Sequence, residues 1–550
     1  MRATESVNDA VERGHRALAR GAWDEARSSF GEALAESDSA EAWEGLSWAA
    51  FWLEDGVSAI AAREHAYRLY REAGDLRGAA RMAIWLGNDH LDFRGEEAVA
   101  QGWFARCERL LKDLEPSPEH GWLAALRAAI ALDAGDTAGA KRLGSRAREL
   151  GRAWNLTALE MVGLATEGLA MVSEGAVEQG MRCLDEATAA ALGGEFEELQ
   201  PVCWTCCYLI YACERVRDFD RAGQWCKRVE EFTARMRIQF VNGVCRAHYA
   251  AVLTWHGEWA KAEEVLVQAR HDLASTRPPW ATEATVRLAD LRRRQGRLHE
   301  AERLFSEAEW HPLAVLGAAE LYLDRGCAGG AIPLAERLLR QLPVENKTQR
   351  AAALELMVRA QAARGEADTA RTYLAELRDV VEAVPTDPLR AALGVCEGVT
   401  ARAAGERDAA RASLEDAVTL FAAGGAPFEA ARARLELADC LGEQGERDAA
   451  ARHARAAGEA LERLGAAGQA ERARELVDRS SGPGRRGGPL SRRELEVLRL
   501  VSQGLTDREI AAALVLSQHT VHRHVSNIYA KLGCSTRAAA VTKASRLDLL

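Results

Sequence analysis

The chain has 550 residues, 48% of them hydrophobic and 28% charged, and this balance excludes a disordered protein. No run approaches the roughly 18 consecutive apolar residues that a membrane-spanning helix needs, so we expect no membrane association. The formal net charge of −11 excludes a chain that coats nucleic acid along its whole length.

The charge is unevenly distributed. Residues 484–550 contain eleven Lys and Arg against five Asp and Glu, a balance of +6, whereas the remainder has 60 against 77, a balance of −17. A basic C-terminal segment on an acidic body predicts a small anion-binding domain and a large domain with another role.

The start of the chain has no apolar signal-peptide core, so we expect a cytoplasmic protein. Twelve cysteines are too sparse for a disulfide scaffold. The one tight group is Cys203, Cys206, Cys207 and Cys213, and the first two have the spacing that begins many zinc sites. Because no matching Cys/His pair follows closely, we interpret them as buried core thiols and predict no metal site.

A pattern of Gly, four residues and Ala, placed between two amphipathic runs, recurs along residues 1–479. Eight of the eleven intervals between its copies are 39 or 40 residues, a regularity that chance would not produce. The ten clear copies and the two degenerate ones, at 175 and 218, begin at Gly21, Gly56, Gly95, Gly135, Gly175, Asp218, Gly257, Gly296, Gly326, Gly365, Gly405 and Gly445.

Each copy predicts a helical hairpin. Around Gly257, Ala250 and Leu253 precede the turn and Ala262 and Leu266 follow it, all at helical spacing. Glycine supplies the left-handed conformation that ends the first helix, and the small alanine lets the second helix pack closely. One hairpin cannot bury its apolar face alone, so the hairpins should stack into an all-α solenoid with a concave surface.

This signature resembles the tetratricopeptide repeat, with Ala262 and Phe30 at the family's small and large positions. The period of about 40 residues departs from that family's 34 and is more similar to the elongated repeats of MalT-type bacterial regulators. The resemblance covers residues 1–479. It implies the architecture of a tetratricopeptide-like superhelix and says little about a ligand. A separate hypothesis is that this superhelix senses an effector, which could be a protein, a peptide or a small molecule.

The tryptophans are concentrated in the first part of the chain. All 14 lie at or before Trp310, with a dense group at Trp43, Trp48 and Trp52. Two interpretations remain open: an aromatic-lined groove for a ligand, or large side chains that fill the gaps between stacked hairpins. We favour the second.

Residues 480–489, rich in Gly, Pro and Ser, predict a flexible linker. Beyond it, residues 490–550 predict a compact four-helix domain with helix-turn-helix spacing. Capping boxes at Ser491 with Glu494 and at Thr506 with Glu509 open the first two helices. Ser517 is the expected N-cap of the third, and a fourth follows over residues 536–545.

The segments Leu490-Ser-Arg-Arg-Glu-Leu-Glu-Val-Leu-Arg-Leu-Val, Gly504-Leu-Thr-Asp-Arg-Glu-Ile-Ala and Leu516-Ser-x-x-Thr-Val closely resemble the LuxR/FixJ-type DNA-binding domain. The resemblance implies that the third helix enters the major groove of double-stranded promoter DNA. It also implies that the C-terminal helix pairs two domains into a homodimer. One departure is His522, where the family often has lysine, and it leaves the target sequence open.

Helical geometry divides the third helix into two faces. Val521, Val525, Ile528 and Leu532 form the predicted core stripe, and polar side chains occupy the opposite face. Such a face could be ordinary solvated surface, but its Arg, His and short hydroxyl or amide side chains favour DNA binding. The predicted DNA-binding residues are Thr506, Arg508, Gln518, His519, Thr520, His522, Arg523, Ser526, Asn527 and Lys531.

Within this set, Arg523 is the best candidate for a base contact, because its guanidinium matches the edge of guanine. Thr506, Arg508, Thr520 and Lys531 are better placed for phosphates, which position the protein on DNA but carry no sequence information.

No phosphate-binding P-loop, Ser/His/Asp set or paired carboxylates with supporting context occur, so we predict neither an enzyme nor a bound cofactor. The leading hypothesis is a bacterial transcription regulator whose solenoid senses an effector and whose C-terminal domain binds promoter DNA as a dimer. RNA polymerase is a further candidate partner. The alternative is an adaptor, whose solenoid scaffolds partner proteins while the C-terminal domain only localises it to DNA.

Overall fold

The computed structural model describes residues 2–196, 198–236, 239–481, 490, 492–514, 516–534 and 536–546. Within these ranges all regular secondary structure is helical, with 29 α-helices and one turn of π-helix at His90–Arg94. This confirms the all-α prediction. The chain divides into two compact units, residues 1–433 with 464–466, and residues 434–463 with 467–550.

The first unit is a stack of helical hairpins. Its first eleven helices are α1 (Arg2–Ala19), α2 (Trp23–Glu36), α3 (Ala40–Trp52), α4 (Gly56–Glu72), α5 (Leu76–Asp89), α6 (Glu97–Leu111), α7 (Pro118–Asp133), α8 (Thr137–Ala153), α9 (Thr157–Glu174), α10 (Val177–Gly193) and α11 (Leu199–Val216). The next twelve are α12 (Phe219–Met236), α13 (Gln239–Trp255), α14 (Trp259–Thr276), α15 (Pro278–Arg294), α16 (Leu298–Ser306), α17 (Pro312–Asp324), α18 (Ala328–Gln341), α19 (Lys347–Ala363), α20 (Ala367–Ala383), α21 (Asp387–Ala403), α22 (Arg407–Ala423) and α23 (Pro427–Glu443).

Most hairpin turns fall where the repeat predicts them, with two corrections: the copy predicted at Asp218 turns at Arg217 (φ 58°), and the copy predicted at Gly56 is also displaced. Gly257 has φ 82° and precedes the fully buried Ala262, as expected. In the second hairpin the left-handed residue is Glu54 (φ 61°) rather than Gly56, which already belongs to α4. The buried alanine is correspondingly Ala59, five residues after Glu54. The predicted register of this copy is therefore wrong by two residues, because the most visible glycine is not the one at the turn.

The first helices of successive hairpins pack against one another and form the inner layer of the stack. Contacts also reach much farther along the sequence. Thr386 donates a hydrogen bond to the carbonyl of Val216 at 2.9 Å, and the Trp255 indole donates to the carbonyl of Gly424 at 3.2 Å. Hairpins that are about four positions apart in sequence therefore touch. The sequence predicted neighbour contacts only, since a repeat pattern carries no record of such distant pairs.

One of these distant contacts is a buried arginine. Arg277, between α14 and α15, is fully buried and its guanidinium lies over the rings of Phe51 (4.5 Å) and Phe93 (4.1 Å). Its Nη1 lies 3.5 Å from the Asp92 carboxylate in the π-helical turn. A cation held between two aromatic faces and a buried carboxylate joins parts of the chain that are 185 residues apart.

The tryptophans mostly fill the gaps between helices, as favoured from the sequence. Trp23 and Trp52 are buried and stack with ring centroids 5.3 Å apart. Trp85 is buried against Trp204 at 5.9 Å. Of the tryptophans among the described residues, only Trp154 and Trp310 are markedly exposed. These rings therefore contribute packing, and no aromatic groove is required to explain them.

The prediction for the cysteine group is confirmed for Cys203, Cys206 and Cys213, which are free thiols buried on α11. Cys207 is also a free thiol but is only partly buried. Burial raises the pKa of the Cys203 thiol well above its usual range, because the thiolate would lose its hydration. Within the described ranges no group of His, Cys, Asp or Glu side chains is arranged to hold a metal ion.

The second unit contains residues 434–443 of α23, which crosses the boundary between the units, and the last helices of the chain. These are α24 (Arg447–Leu464), α25 (Ala467–Ser481), α26 (Arg492–Ser502), α27 (Asp507–Leu514), α28 (Gln518–Leu532) and α29 (Arg537–Arg546). The predicted linker begins at 480, but α25 continues through Ser481, and residues 482–489 lie outside the described residues. Among the helices described, none combines the length and apolar character needed to cross a membrane.

Candidate nucleic-acid interface

Helices α26–α29 enclose a separate hydrophobic core. The predicted stripe of α28 is confirmed, since Val521, Val525, Ile528 and Leu532 are all buried. They pack with side chains of the other three helices, including Leu498, Ile510 and Ala540. Because this face of α28 is fixed against the core, the opposite face is held outward in a defined orientation.

Side-chain caps set where α27 and α28 begin. The Thr506 backbone N–H donates to Glu509 Oε2 at 2.8 Å, and the Glu509 N–H donates to Thr506 Oγ1 at 3.4 Å, which is the predicted capping box. The Thr506 backbone donor holds the pKa of the Glu509 carboxyl below its usual value. Ser517 caps α28 by accepting from the Thr520 N–H at 3.1 Å, as predicted. The capping box expected at Ser491 lies outside the described residues.

The outward face of α28 carries most of the predicted DNA-binding side chains. The exposed members are Gln518, His522, Arg523, Ser526 and Asn527. Thr520 is only partly exposed, and its hydroxyl lies 2.7 Å from Ser517 Oγ. His519 is on the same helix, but its side chain is outside the described part of the structure. The structure therefore brings five of the predicted residues onto one exposed surface.

Two arginines are available for a partner. The Arg508 and Arg523 side chains are exposed, and no hydrogen bond or ion pair to either is found among the described residues. An exposed guanidinium whose five donors are not used by the described residues can bind a phosphate or a base edge without first breaking another contact.

Lys531 differs from these arginines. Its Nζ donates to Glu494 Oε2 at 2.6 Å, and the Glu494 side chain is only 4% exposed while that of Lys531 is 45% exposed. The ammonium group therefore neutralises a buried carboxylate of α26 in addition to facing solvent. Sequence reasoning placed Lys531 among phosphate contacts and missed this pairing, because Glu494 is 37 residues away.

Asp507 is a further residue that the sequence reasoning did not single out. Its Oδ2 lies 3.4 Å from His522 Nδ1, and its other oxygen accepts a hydrogen bond from Arg537. Arg537 also donates to the carbonyl of Leu505 at 2.6 Å. One carboxylate thus connects α27, α28 and α29 and positions the imidazole of His522 at the edge of the exposed face.

The sequence of this region matches the GerE family model, described as bacterial regulatory proteins of the luxR family, over residues 488–544. The helices, caps and core stripe fit a helix-turn-helix in which α27 and α28 are joined by a short turn. The C-terminal domain belongs to the luxR family.

Several curated relatives are similar to this chain over about 60 residues. An HTH-type transcriptional regulator of Mycobacterium bovis is 44% identical over 64 residues, which are 12% of this chain and 7% of the relative. The fimbriae Z protein of Salmonella typhimurium is 40% identical over 62 residues, or 11% of this chain and 30% of that protein. The transcriptional regulatory protein YhcZ of Bacillus subtilis is 45% identical over 60 residues, which are 11% of this chain and 28% of that protein. The chain thus spans less than a third of each relative's length.

Solved helical-repeat structures are similar over a longer range at low identity. The Cut9–Hcn1 structure has 13% identity, covers 85% of this chain and 95% of its own, and gives a TM-score of 0.34. A human IFIT1 dimer has 15% identity, covers 82% of this chain and 94% of its own, and gives a TM-score of 0.39. At these scores the likeness supports no conclusion, and the solenoid architecture rests on the helices of the chain itself.

Proposed function

We propose that this protein is a bacterial, cytoplasmic transcription regulator that binds promoter DNA through α28 of its luxR domain. The main support for this proposal is the exposed face of α28. This face presents Arg523, which has no carboxylate partner among the described residues, together with short polar side chains. In this role Arg523 contacts a base edge and Gln518, His519, His522, Ser526 and Asn527 line the groove. Thr506, Arg508, Thr520 and Lys531 contact phosphates.

The same proposal assigns the helical repeat a sensory role. It binds an effector or a partner protein and so changes how readily the luxR domain engages DNA. The luxR domain acts as a homodimer through α29, whose Ala538, Ala539 and Thr542 side chains are exposed. RNA polymerase is the partner through which a bound regulator would alter transcription.

The test uses the full chain and a library of random duplex DNA, from which bound sequences are selected and then titrated by fluorescence anisotropy. We expect an enriched sequence with two related half-sites, bound more tightly than random DNA. Affinity should fall steeply with salt, because several phosphate contacts release counterions. A folded protein that binds no DNA at low salt would overturn the proposal, and enrichment of single half-sites would overturn the dimer.

A further inference from the structure

Three arginines on different inner helices of the first unit converge on one carboxylate. Arg359 of α19 donates two hydrogen bonds to Glu320 of α17, at 2.5 and 3.1 Å. Arg293 of α15 and Arg432 of α23 each lie 3.8 Å from Glu320 Oε2. The cluster thus joins helices from four hairpins around Glu320, and three further carboxylates, Asp290, Asp324 and Glu429, pair with Arg293 and its neighbour Arg294.

The arginines of this cluster differ in how well they are satisfied. Arg293 donates to Asp324 at 2.6 Å, and its neighbour Arg294 donates to Glu429 at 2.6 Å. Arg432 makes no hydrogen bond to any described residue, and its closest carboxylate oxygen is the one at 3.8 Å. A guanidinium has five N–H donors, so Arg432 presents donors that the protein leaves without acceptors.

The surroundings of Arg432 favour an added negative charge. Burial lowers the pKa of Arg432, and the nearby cation of Arg359 lowers it further. The carboxylates of Glu320 and Asp324 act in the opposite direction, but the pKa of Arg432 stays below its usual value, so a further negative charge beside it would be favourable. The side chains of Arg432 and Arg359 nevertheless remain 23% and 20% exposed, so a small solute can reach both.

We propose that Arg432 and Arg359 bind the oxyanion group, phosphate or carboxylate, of a small effector on the inner layer of the helical repeat. A guanidinium pairs with two oxygens of such a group in a fork geometry. Glu320 already accepts two hydrogen bonds from Arg359 and therefore competes with the ligand. This inference rests on the proposed sensory role of the repeat for its biological meaning, but the binding itself is independent of DNA.

The experiment titrates the full chain, without DNA, by isothermal calorimetry with inorganic phosphate and separately with succinate. We expect saturable binding of at least one probe, weakened about tenfold or more in Arg432→Gln. The matched control is Arg340→Gln, which removes the same charge from an exposed surface pair, 3.4 Å from Glu336, and should leave binding unchanged. Binding of phosphate alone, succinate alone or both identifies the preferred oxyanion.

A second variant tests the site in the opposite direction. Glu320→Gln removes the competing carboxylate and should tighten binding of the same probe. Thermal unfolding of Arg432→Gln should show only a small loss, because Arg359 still donates two hydrogen bonds to Glu320 and Arg432 contributes a 3.8 Å ion pair and a ring contact with Phe428. The proposal is overturned if neither probe gives saturable binding at millimolar concentration, or if Arg432→Gln and Arg340→Gln behave alike. Either result leaves the DNA titration unaffected, so the two proposals fail separately.

Discussion

Lys531 and Glu494 form an ion pair of 2.6 Å in which the carboxylate is almost completely buried and the ammonium is half exposed. The pair joins the C-terminal end of α28 to α26. A lysine in a predicted DNA interface is usually interpreted as a phosphate contact, but Lys531 compensates the buried charge of Glu494. Its removal therefore has consequences for folding that removal of an exposed arginine does not.

We predict that Lys531→Met destabilises the luxR domain by about 1–3 kcal/mol, because it leaves the Glu494 carboxylate buried without its cation. The double variant with Glu494→Gln should recover most of this loss, since no buried charge then remains. Urea unfolding monitored by circular dichroism measures both. If Lys531→Met unfolds at the same urea concentration as the parent, the pairing contributes nothing to stability.

Arg523 and Arg508, two exposed arginines of α28 and α27, should have distinct roles on DNA. Arg523→Ala should reduce discrimination between the selected site and random DNA by about 1–3 kcal/mol, the value of a bidentate base contact. Arg508→Ala should weaken both complexes about equally and reduce the salt dependence of binding. Anisotropy titrations on the two DNAs at several salt concentrations distinguish the roles. If Arg523→Ala weakened binding to the selected site and to random DNA equally, Arg523 would be assigned to a phosphate contact.

Local sequence signals predicted local structure well. The Gly–Ala pattern located the hairpins, and the caps at Thr506 and Ser517 fixed the starts of α27 and α28. The error at Gly56 arose because Glu54 adopts a left-handed conformation, which a glutamate side chain does not predict. Propensity identifies residues that favour such a turn, but tertiary packing can impose the turn on others.

Distant pairs were beyond the reach of the sequence. Neither the Lys531–Glu494 pair nor the convergence on Glu320 follows from spacing, because each partner lies on a helix whose neighbours are set by the stacking of whole hairpins. The exposed face of α28 was accessible to sequence reasoning for the opposite reason. Which residues lie on each face of α28 follows from the periodicity of that one helix, without any knowledge of its neighbours.

The buried arginine that joins distant hairpins yields a stability prediction. Arg277→Met should destabilise the first unit by about 3–5 kcal/mol, because it removes the cation from a buried carboxylate, Asp92. Arg13→Met, which breaks an exposed pair with Glu32 at 2.7 Å, should cost less than about 1 kcal/mol. Thermal unfolding of the full chain compares them. Similar midpoints for the two variants would show that Arg277 does not hold the hairpins together.

The pH dependence of the repeat can be predicted from Glu283 on α15. Burial opposes ionisation of this carboxyl, but the Arg287 cation at 3.3 Å outweighs it and a hydrogen bond with His311 at 3.1 Å adds to the effect. The pKa of Glu283 therefore lies well below its usual value in the folded protein. A carboxyl with a depressed folded pKa stabilises the protein above its unfolded pKa of about 4.3, and that contribution is lost as pH falls.

Glu283→Gln should therefore destabilise the first unit at pH 7 by about 1–3 kcal/mol, because Arg287 loses a charged partner. The difference between the variant and the parent should shrink as the pH is lowered below about 4.3, where the unfolded parent takes up the proton that the folded parent resists. Glu336→Gln, on an exposed pair, is the matched control and should show no such trend. Thermal unfolding across this pH range measures the effect. A difference between Glu283→Gln and the parent that stays constant with pH would show that the carboxylate is not held ionised by Arg287.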